Sequence, residues 1–258
     1  MSKGIPVFLM VGILVMSSGI ARALPTAGNS TGYGESVSLT GALSVSSPQQ
    51  PVATGTAPAP YSNSNNVASL SVPGVLSTGI ILVNASSDVN GVNSPRQSSA
   101  DATVNDLLLV IAPLLSISAT SVQSTALVSG DYSAFSTTGT TTIVGALVNG
   151  TPVPVNPAAN TVLLNLGGII VTANEQSYLA DGLPAASCAG AVASCKLIVN
   201  AIHIQFINAV LGLGLLNGDV FVSHSDAYLQ ASPVPEPTTA ALLGLGLVGL
   251  LVSRRSSR

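Results

Sequence analysis

The chain has 258 residues, of which 47% are hydrophobic, 7% charged and 3% aromatic, with no Trp. Globular chains carry about 25% charged residues, whereas a solvated disordered chain needs low hydrophobicity and high net charge. This balance excludes the disordered class and points to a β-rich extracellular protein surfaced by Ser, Thr and Asn. Between Leu24 and Ser232 the only cations are Arg96 and Lys196, against nine acids: Glu35, Asp88, Asp101, Asp106, Asp131, Glu175, Asp181, Asp219 and Asp226. Two minus nine leaves −7. Without clustered Lys and Arg to neutralise phosphates, the chain has no nucleic-acid partner.

In chain order, residues 1–23 come first. Met1-Ser2-Lys3 precedes an apolar run from Ile5 to Met16 and a small-residue site, Ala21-Arg22-Ala23. This pattern predicts a secretory signal helix that engages the secretion translocon, with Ala21 and Ala23 at the cleavage site. The run is too short for the roughly 20 residues of a permanent span. Residues 24–66 read as a Ser/Pro-rich segment with one early strand; Pro48, Pro51, Pro58 and Pro60 make 44–66 a loop or extended crossing segment.

From residue 67 to 232 short strands and turns dominate. "NVASLSV" (66–72) stops at Pro73-Gly74, and "TGIILVNAS" (78–86) leads to an Asn90-Gly91 turn. "NDLLLVIAPLL" (105–115) admits a helix limited by Pro113. "TTIVGALV" and "TPVPV" flank Asn149-Gly150, a two-residue hairpin signal of type I′. "NTVLLNLGGIIVTANEQ" (160–176) reads as one or two strands about Gly167-Gly168, and "KLIVNAIHIQFI" (196–207) alternates. Asn217-Gly218 then introduces a last strand at 219–229. The expected fold is all-β, an antiparallel sandwich-like body, with a β-solenoid-like stack as the alternative.

Candidate chemistry is sparse. Cys188 and Cys195 suit a disulfide in an exported protein; two cysteines without nearby His make a poor zinc site. His203 and His224 are the only histidines. Alternation places Ala201, His203, Gln205 and Ile207 on one face and Ile202, Ile204 and Phe206 on the other. His224, Ser225 and Asp226 are adjacent, and neighbours on a strand point to opposite faces, so they form no relay by themselves. Asp219 with Asp226, or Glu175 with Asp181, are conceivable carboxylate pairs for a carbohydrate-active hydrolase. Asp88 to Gly91 is only a fragment of a calcium loop. No catalytic residue, metal ligand or cofactor site is assigned.

Residues 233–258 end the chain. Pro235-Glu236-Pro237 precedes an uninterrupted apolar run from Ala240 to Val252, then Arg254, Arg255 and Arg258. The run predicts a short hydrophobic helix through Ala240, Leu242, Leu243, Leu245, Leu247, Leu250 and Leu251. Its thirteen residues reach about 20 Å, short of a hydrocarbon core of about 30 Å. The arginines act as a basic stop on the cytoplasmic side. This arrangement resembles the PEP-CTERM sorting signal. The resemblance implies processing near Pro235-Glu236-Pro237 by an exosortase, a membrane transpeptidase. It also implies transient inner-membrane anchoring in a Gram-negative bacterium, and release to a surface rich in exopolysaccharide or biofilm. A second resemblance covers about residues 66–231. "ASLSVPGVLSTGIILVNASS", "VNGTPVPVNPAANTVLLNLGGIIVTANEQ", "LIVNAIHIQF" and "GDVFVSHSDAYL" are similar to the choice-of-anchor P family, surface proteins that share a body and differ in their anchors. That family has no assigned reaction. The expectation is a non-enzymatic surface or matrix protein, with a secreted carbohydrate-active hydrolase or a protein-binding adhesin as alternatives.

Overall fold

The computed structural model describes residues 25–90, 96–131, 134–190 and 192–232. The expected signal helix (1–23), the sorting motif, membrane helix and basic stop (233–258), and Gly91 of the Asn90-Gly91 turn lie outside the described residues. The described residues fall within one compact unit. It is all-β, without a helix among the described residues.

The sixteen strands are β1 (Pro25–Gly41), β2 (Val45–Ala57), β3 (Tyr61–Val67), β4 (Leu70–Val72), β5 (Leu76–Thr78), β6 (Ile81–Ser87), β7 (Arg96–Ile111), β8 (Leu115–Gly130), β9 (Ser136–Val144), β10 (Leu147–Val148), β11 (Thr151–Pro152), β12 (Thr161–Leu166), β13 (Ile169–Ala180), β14 (Leu183–Ala185), β15 (Ser194–Leu211) and β16 (Gly214–Ala231). They build two open antiparallel sheets. The first has the order β12-β13-β15-β16-β1-β2, with β14 on β13. The second runs β11-β10-β8-β7-β5-β4, with β6 and β3 continuing from β7 and β9 on β8. Their apolar faces pack together. One core joins Val37, Ile202, Ile204 and Val220 of the first sheet to Val83, Val104, Leu109 and Ile117 of the second. A smaller core surrounds Cys188 and Cys195, with Val128, Leu197 and Leu229. β1, the first strand, sits beside β16, the last, so the order is that of stacked sheets and not of a solenoid.

Several expectations need correcting. Residues 44–66 take the extended alternative and not the loop, forming β2 and most of β3, so that 24–66 holds β1, β2 and most of β3 where one early strand was expected. The prolines fit because β2 is an edge strand, where a missing N–H breaks no ladder on the open side; Pro58 and Pro60 fall in the link to β3. The two edges are stitched by amides, Asn63 Nδ2 donating to Thr54 O (2.7 Å) and Asn65 Nδ2 to Val52 O (3.0 Å). Residues 105–115 are not helical. Leu107, Leu109 and Ile111 are buried while Leu108 and Val110 are exposed, a period of two hidden within an unbroken apolar run. Asn217-Gly218 is no turn but lies inside β16, where a Cβ on Gly218 would sit 1.9 Å from Ser38 O. Asn149-Gly150 does turn β10 into β11, both residues at positive φ (48° and 81°), as type I′ requires.

Simple alternation also fails in one row of the first sheet. Asn174, Ala201, Ser223 and Gly34 are skipped in the strand pairing at the same level of β13, β15, β16 and β1. Asn174 and Ser223 have φ of 50° and 57°, the left-handed region that Asn tolerates best among non-glycine residues. Val222 lies in the core, and Ser223 Oγ reaches across to Ala102 O of the second sheet (2.8 Å), so two successive residues point inward. Beyond this row the faces of these four strands exchange. Residues three apart, such as Asn200 and His203, thereby come to share the outer face.

Candidate functional site

That exchange of faces assembles a titratable cluster on the outer face of the first sheet. His203 on β15 lies between two carboxylates, Nδ1 2.9 Å from Glu175 Oε2 and Nε2 3.0 Å from Asp219 Oδ1. It stacks on Phe221, its cross-strand partner, with centroids 4.2 Å apart and planes at 16°. Two carboxylates facing both ring nitrogens call for two N–H donors, hence an imidazolium. Burial pushes the His203 pKa down, but the hydrogen bonds and charges of Glu175 and Asp219 outweigh it and the net shift is upward. For Glu175 burial pushes upward, while bonds from His203 and Asn200 and the two histidine charges bring the carboxyl below its ordinary value.

The contacts continue along the sheet. Asn200 Nδ2 donates to Glu175 Oε2 (2.7 Å), which leaves its Oδ1 to face His224 Nδ1 (2.6 Å). His224 stacks on Tyr33 at 4.2 Å and 11°, and its Nε2 is 3.4 Å from Asp226 Oδ2. Lys196 Nζ lies 3.3 Å from Asp226 Oδ1. Burial, then the Asp226 charge, push the Tyr33 phenol upward. The ladder therefore reads Asp219, His203, Glu175, Asn200, His224, Asp226, Lys196, across three adjacent strands. Each member is held by the next, and the arrangement can fix the sheet's outer face and store a positive charge at His203. Among the described residues no group of three or more His, Cys, Asp or Glu is disposed to hold a metal.

A second titratable group lies on the inner face. Glu35 is fully buried; its Oε1 accepts from Ser47 Oγ (2.7 Å) and Gln50 Nε2 (3.3 Å), while Oε2 has no partner. Burial pushes its pKa up, and the two hydrogen bonds offset only part of that. It is held there by β1, where Gly32 and Gly34 let the sheets approach: a Cβ on Gly32 would stand 2.8 Å from Asp101 O.

Sequence reasoning named the ladder's histidines and acids but not their union. Of the conceivable carboxylate pairs, Asp219 and Asp226 both belong to the ladder, engaged by different histidines. Glu175 joins them, but Asp181 does not: its Oδ1 accepts the N–H groups of Ala193 and Ser194 (2.8 Å each) in the disulfide loop. Ser225 is fully buried, on the opposite face from His224 and Asp226. Asp88 Oδ1 accepts Gln97 N–H (2.7 Å) and its Oδ2 faces Arg96 at 3.9 Å. Cys188 and Cys195 are bridged. Tyr33, Asn200 and Phe221 were missed; the Asn at 174 was the one signal that alternation would break.

A hollow of about 340 Å³ lies elsewhere, between the β4–β5 hairpin and β7, lined by Ser71, Val72, Val75, Leu76, Leu108 and Val110 among others. Its lining carries no acid or histidine.

In comparison with known proteins, a family model described as the PEP-CTERM protein-sorting motif matches residues 233–256. The match spans Pro235-Glu236-Pro237, the apolar run, Arg254 and Arg255. It implies a protein exported and sorted to the cell surface by an exosortase. No curated protein matches the chain.

Proposed function

We propose that the chain is a non-enzymatic surface or extracellular-matrix protein, a β-sandwich body delivered by a removable tail. The first 23 residues take it through the secretion translocon and are cut after Ala23. The apolar run from Ala240 to Val252 then parks the precursor in the inner membrane of a Gram-negative cell, with Arg254, Arg255 and Arg258 on the cytoplasmic side. Exosortase processing near Pro235-Glu236-Pro237 frees the body for exopolysaccharide or biofilm. The resemblance of residues 66–231 to the choice-of-anchor P family fits a body that works with interchangeable anchors.

The match to the sorting motif carries this reading. The body fits a structural role, since the ladder's polar groups are engaged with one another on a sheet face. The test is made in the native host. Deleting residues 233–258, or replacing Pro235, Glu236 and Pro237 together by alanine, is expected to abolish surface delivery. The deletion should appear in periplasm or medium, and the triple variant should remain membrane-bound at precursor mass. Normal surface delivery of either variant refutes the proposal. Intact mass of the mature wild-type protein reports both trimmed ends.

A further inference from the structure

Among the described residues, one end of the sandwich carries no charge. β1 and β7 run in the same direction: Gly32 approaches Asp101, and Gly34 approaches Ile81, which pairs with Val104. The β1–β2 turn (42–44) and the β7–β8 turn (112–114) therefore lie at one end. Strand pairing brings the turns at 149–150, 167–168 and 212–213 there too. Residues 36–87, 107–130, 134–174 and 206–218 contain no Asp, Glu, Lys, Arg or His, so none of the five turns or the strand ends leading into them is charged.

This end is also apolar. Leu213, at the apex of the β15–β16 hairpin, is fully exposed; Val210 and Leu215, which face each other below it, are 61% and 50% exposed. Ile207 (53%) follows, its N–H bonded to Gly168 O beside the exposed Leu166. Scattered apolar residues are ordinary on a surface, but a contiguous group on a Ser/Thr/Asn surface marks an interaction site.

We infer that this end is a self-association surface, and that its occupant is the same end of a second copy. Charge favours that occupant. The body holds seven more acids than Lys and Arg, so two copies repel unless they approach through the region free of acids. Size sets the strength. Six strands at about 4.8 Å spacing and two sheets about 10 Å apart give a footprint of roughly 600 Å² once side chains are included. That falls below the roughly 800 Å² per partner of a standard interface, so the dimer is weak and reversible and forms best where copies are crowded. A bilayer is the poorer occupant. The backbone groups of the Leu211–Gly214 turn have no partners in hydrocarbon, and the end offers none of the Trp, Tyr, Lys or Arg anchors of an interfacial segment. Like ends meeting about a two-fold axis close the assembly as a dimer, not a filament.

The test is sedimentation of mature protein purified from its host, from low to several hundred micromolar. Wild type should dimerise with rising concentration. Leu213→Asp with Val210→Asp should weaken the dimer by about tenfold or more, whereas Leu183→Asp, an exposed leucine at the other end, should not. All three positions are exposed, and equal thermal unfolding confirms that the variants fold. Leu213→Cys should give a disulfide-linked dimer on oxidation, and Leu183→Cys should not. A wild type that stays monomeric throughout, or a dimer indifferent to both aspartates, overturns the inference. So does flotation with neutral phosphatidylcholine vesicles that Leu213→Asp abolishes, which would make lipid the occupant.

Discussion

Replacing Cys188 and Cys195 by alanine opens a ring of known size, so its cost can be worked out beforehand. The cysteines are seven positions apart and close a ring of eight residues, themselves included. Loop-closure entropy for that length corresponds to about 2.5 kcal/mol at 25 °C. For a domain of 150–250 residues each kcal/mol moves the Tm by about 2–4 °C, so the double variant should melt about 5–10 °C below wild type. The ring also covers the smaller core, where Cys195 and Cys188 pack with Leu197, Val199 and Leu229, so any departure should be toward a larger loss. The assay is thermal unfolding of mature protein by circular dichroism, with refolding on cooling to establish two-state behaviour. Either single alanine breaks the same bridge, so Cys188→Ala and Cys195→Ala should each reproduce most of the double's effect. A fall of less than about 2 °C would refute the reasoning, because the ring would then leave the unfolded chain unconstrained.

The remaining predictions concern pH and packing. His203 titrates above its ordinary 6.5 and Glu35 above its ordinary 4.5, so each contributes stability that is complete below its unfolded value and fades as pH rises through its folded value. Glu175 titrates below 4.5 and works the other way, its contribution fading as pH falls through its folded value. Stability should therefore peak near the ordinary carboxyl value of 4.5 and decline above it, first as Glu35 ionises and then, above 6.5, as His203 loses its proton. Tm measured from about pH 4 to about pH 9 checks this, with Glu35→Gln expected to flatten the alkaline limb and a profile level across neutrality contradicting it. Gly34→Ala would place a Cβ 2.3 Å from Ile81 Cγ2 and should cost about 1–3 kcal/mol. Combined with Ile81→Ala, whose own loss of a buried side chain is larger, it should cost less than the sum of the two single losses, which denaturant titration of both singles and the double will show.

How far the fold was legible depended on whether a signal was local. Strand segments such as 81–87, 161–176 and 219–229 alternate or carry β-branched runs, and Asn149-Gly150 has its own turn chemistry. Residues 44–66 misled because proline content does not say whether a strand lies at an edge, which only the assembled sheet decides. The leucines of 107–111 misled because an unbroken apolar run has no visible period. Asn217-Gly218 misled because a glycine required by a close backbone approach looks the same as one required by a turn. The ladder was illegible for a deeper reason. Alternation assigns His203 and Asn200 to opposite faces, and the left-handed residues at 174 and 223 reverse that across four strands at once. The tail, by contrast, is a linear motif whose meaning needs no fold.

The placement of the last strand ties the body to its tail. Ala231 pairs with Pro25 of β1 on one side, and its N–H bonds Ala193 O on the other; Pro235 follows only four positions later. A tail on an edge strand could be peeled off one hydrogen bond at a time. β16 is central, so a pull transmitted through residue 232 must break the ladders to β1 and β15 together. The first residues loaded are also the best fastened. Cys195 pairs with Leu229, its disulfide closes the loop that carries Ala193, and Asp181 holds the N–H groups of Ala193 and Ser194. The disulfide and Asp181 therefore act where a load applied through the C-terminal end enters the sandwich, and they should resist that load beyond the bridge's contribution to global stability. If so, removing it should shorten the lifetime of the folded body under load applied through the C-terminal end by more than it does under load applied within the β8–β9 turn. Single-molecule pulling from the two attachment points separates these outcomes; equal shortening would reduce the bridge to a general stabiliser.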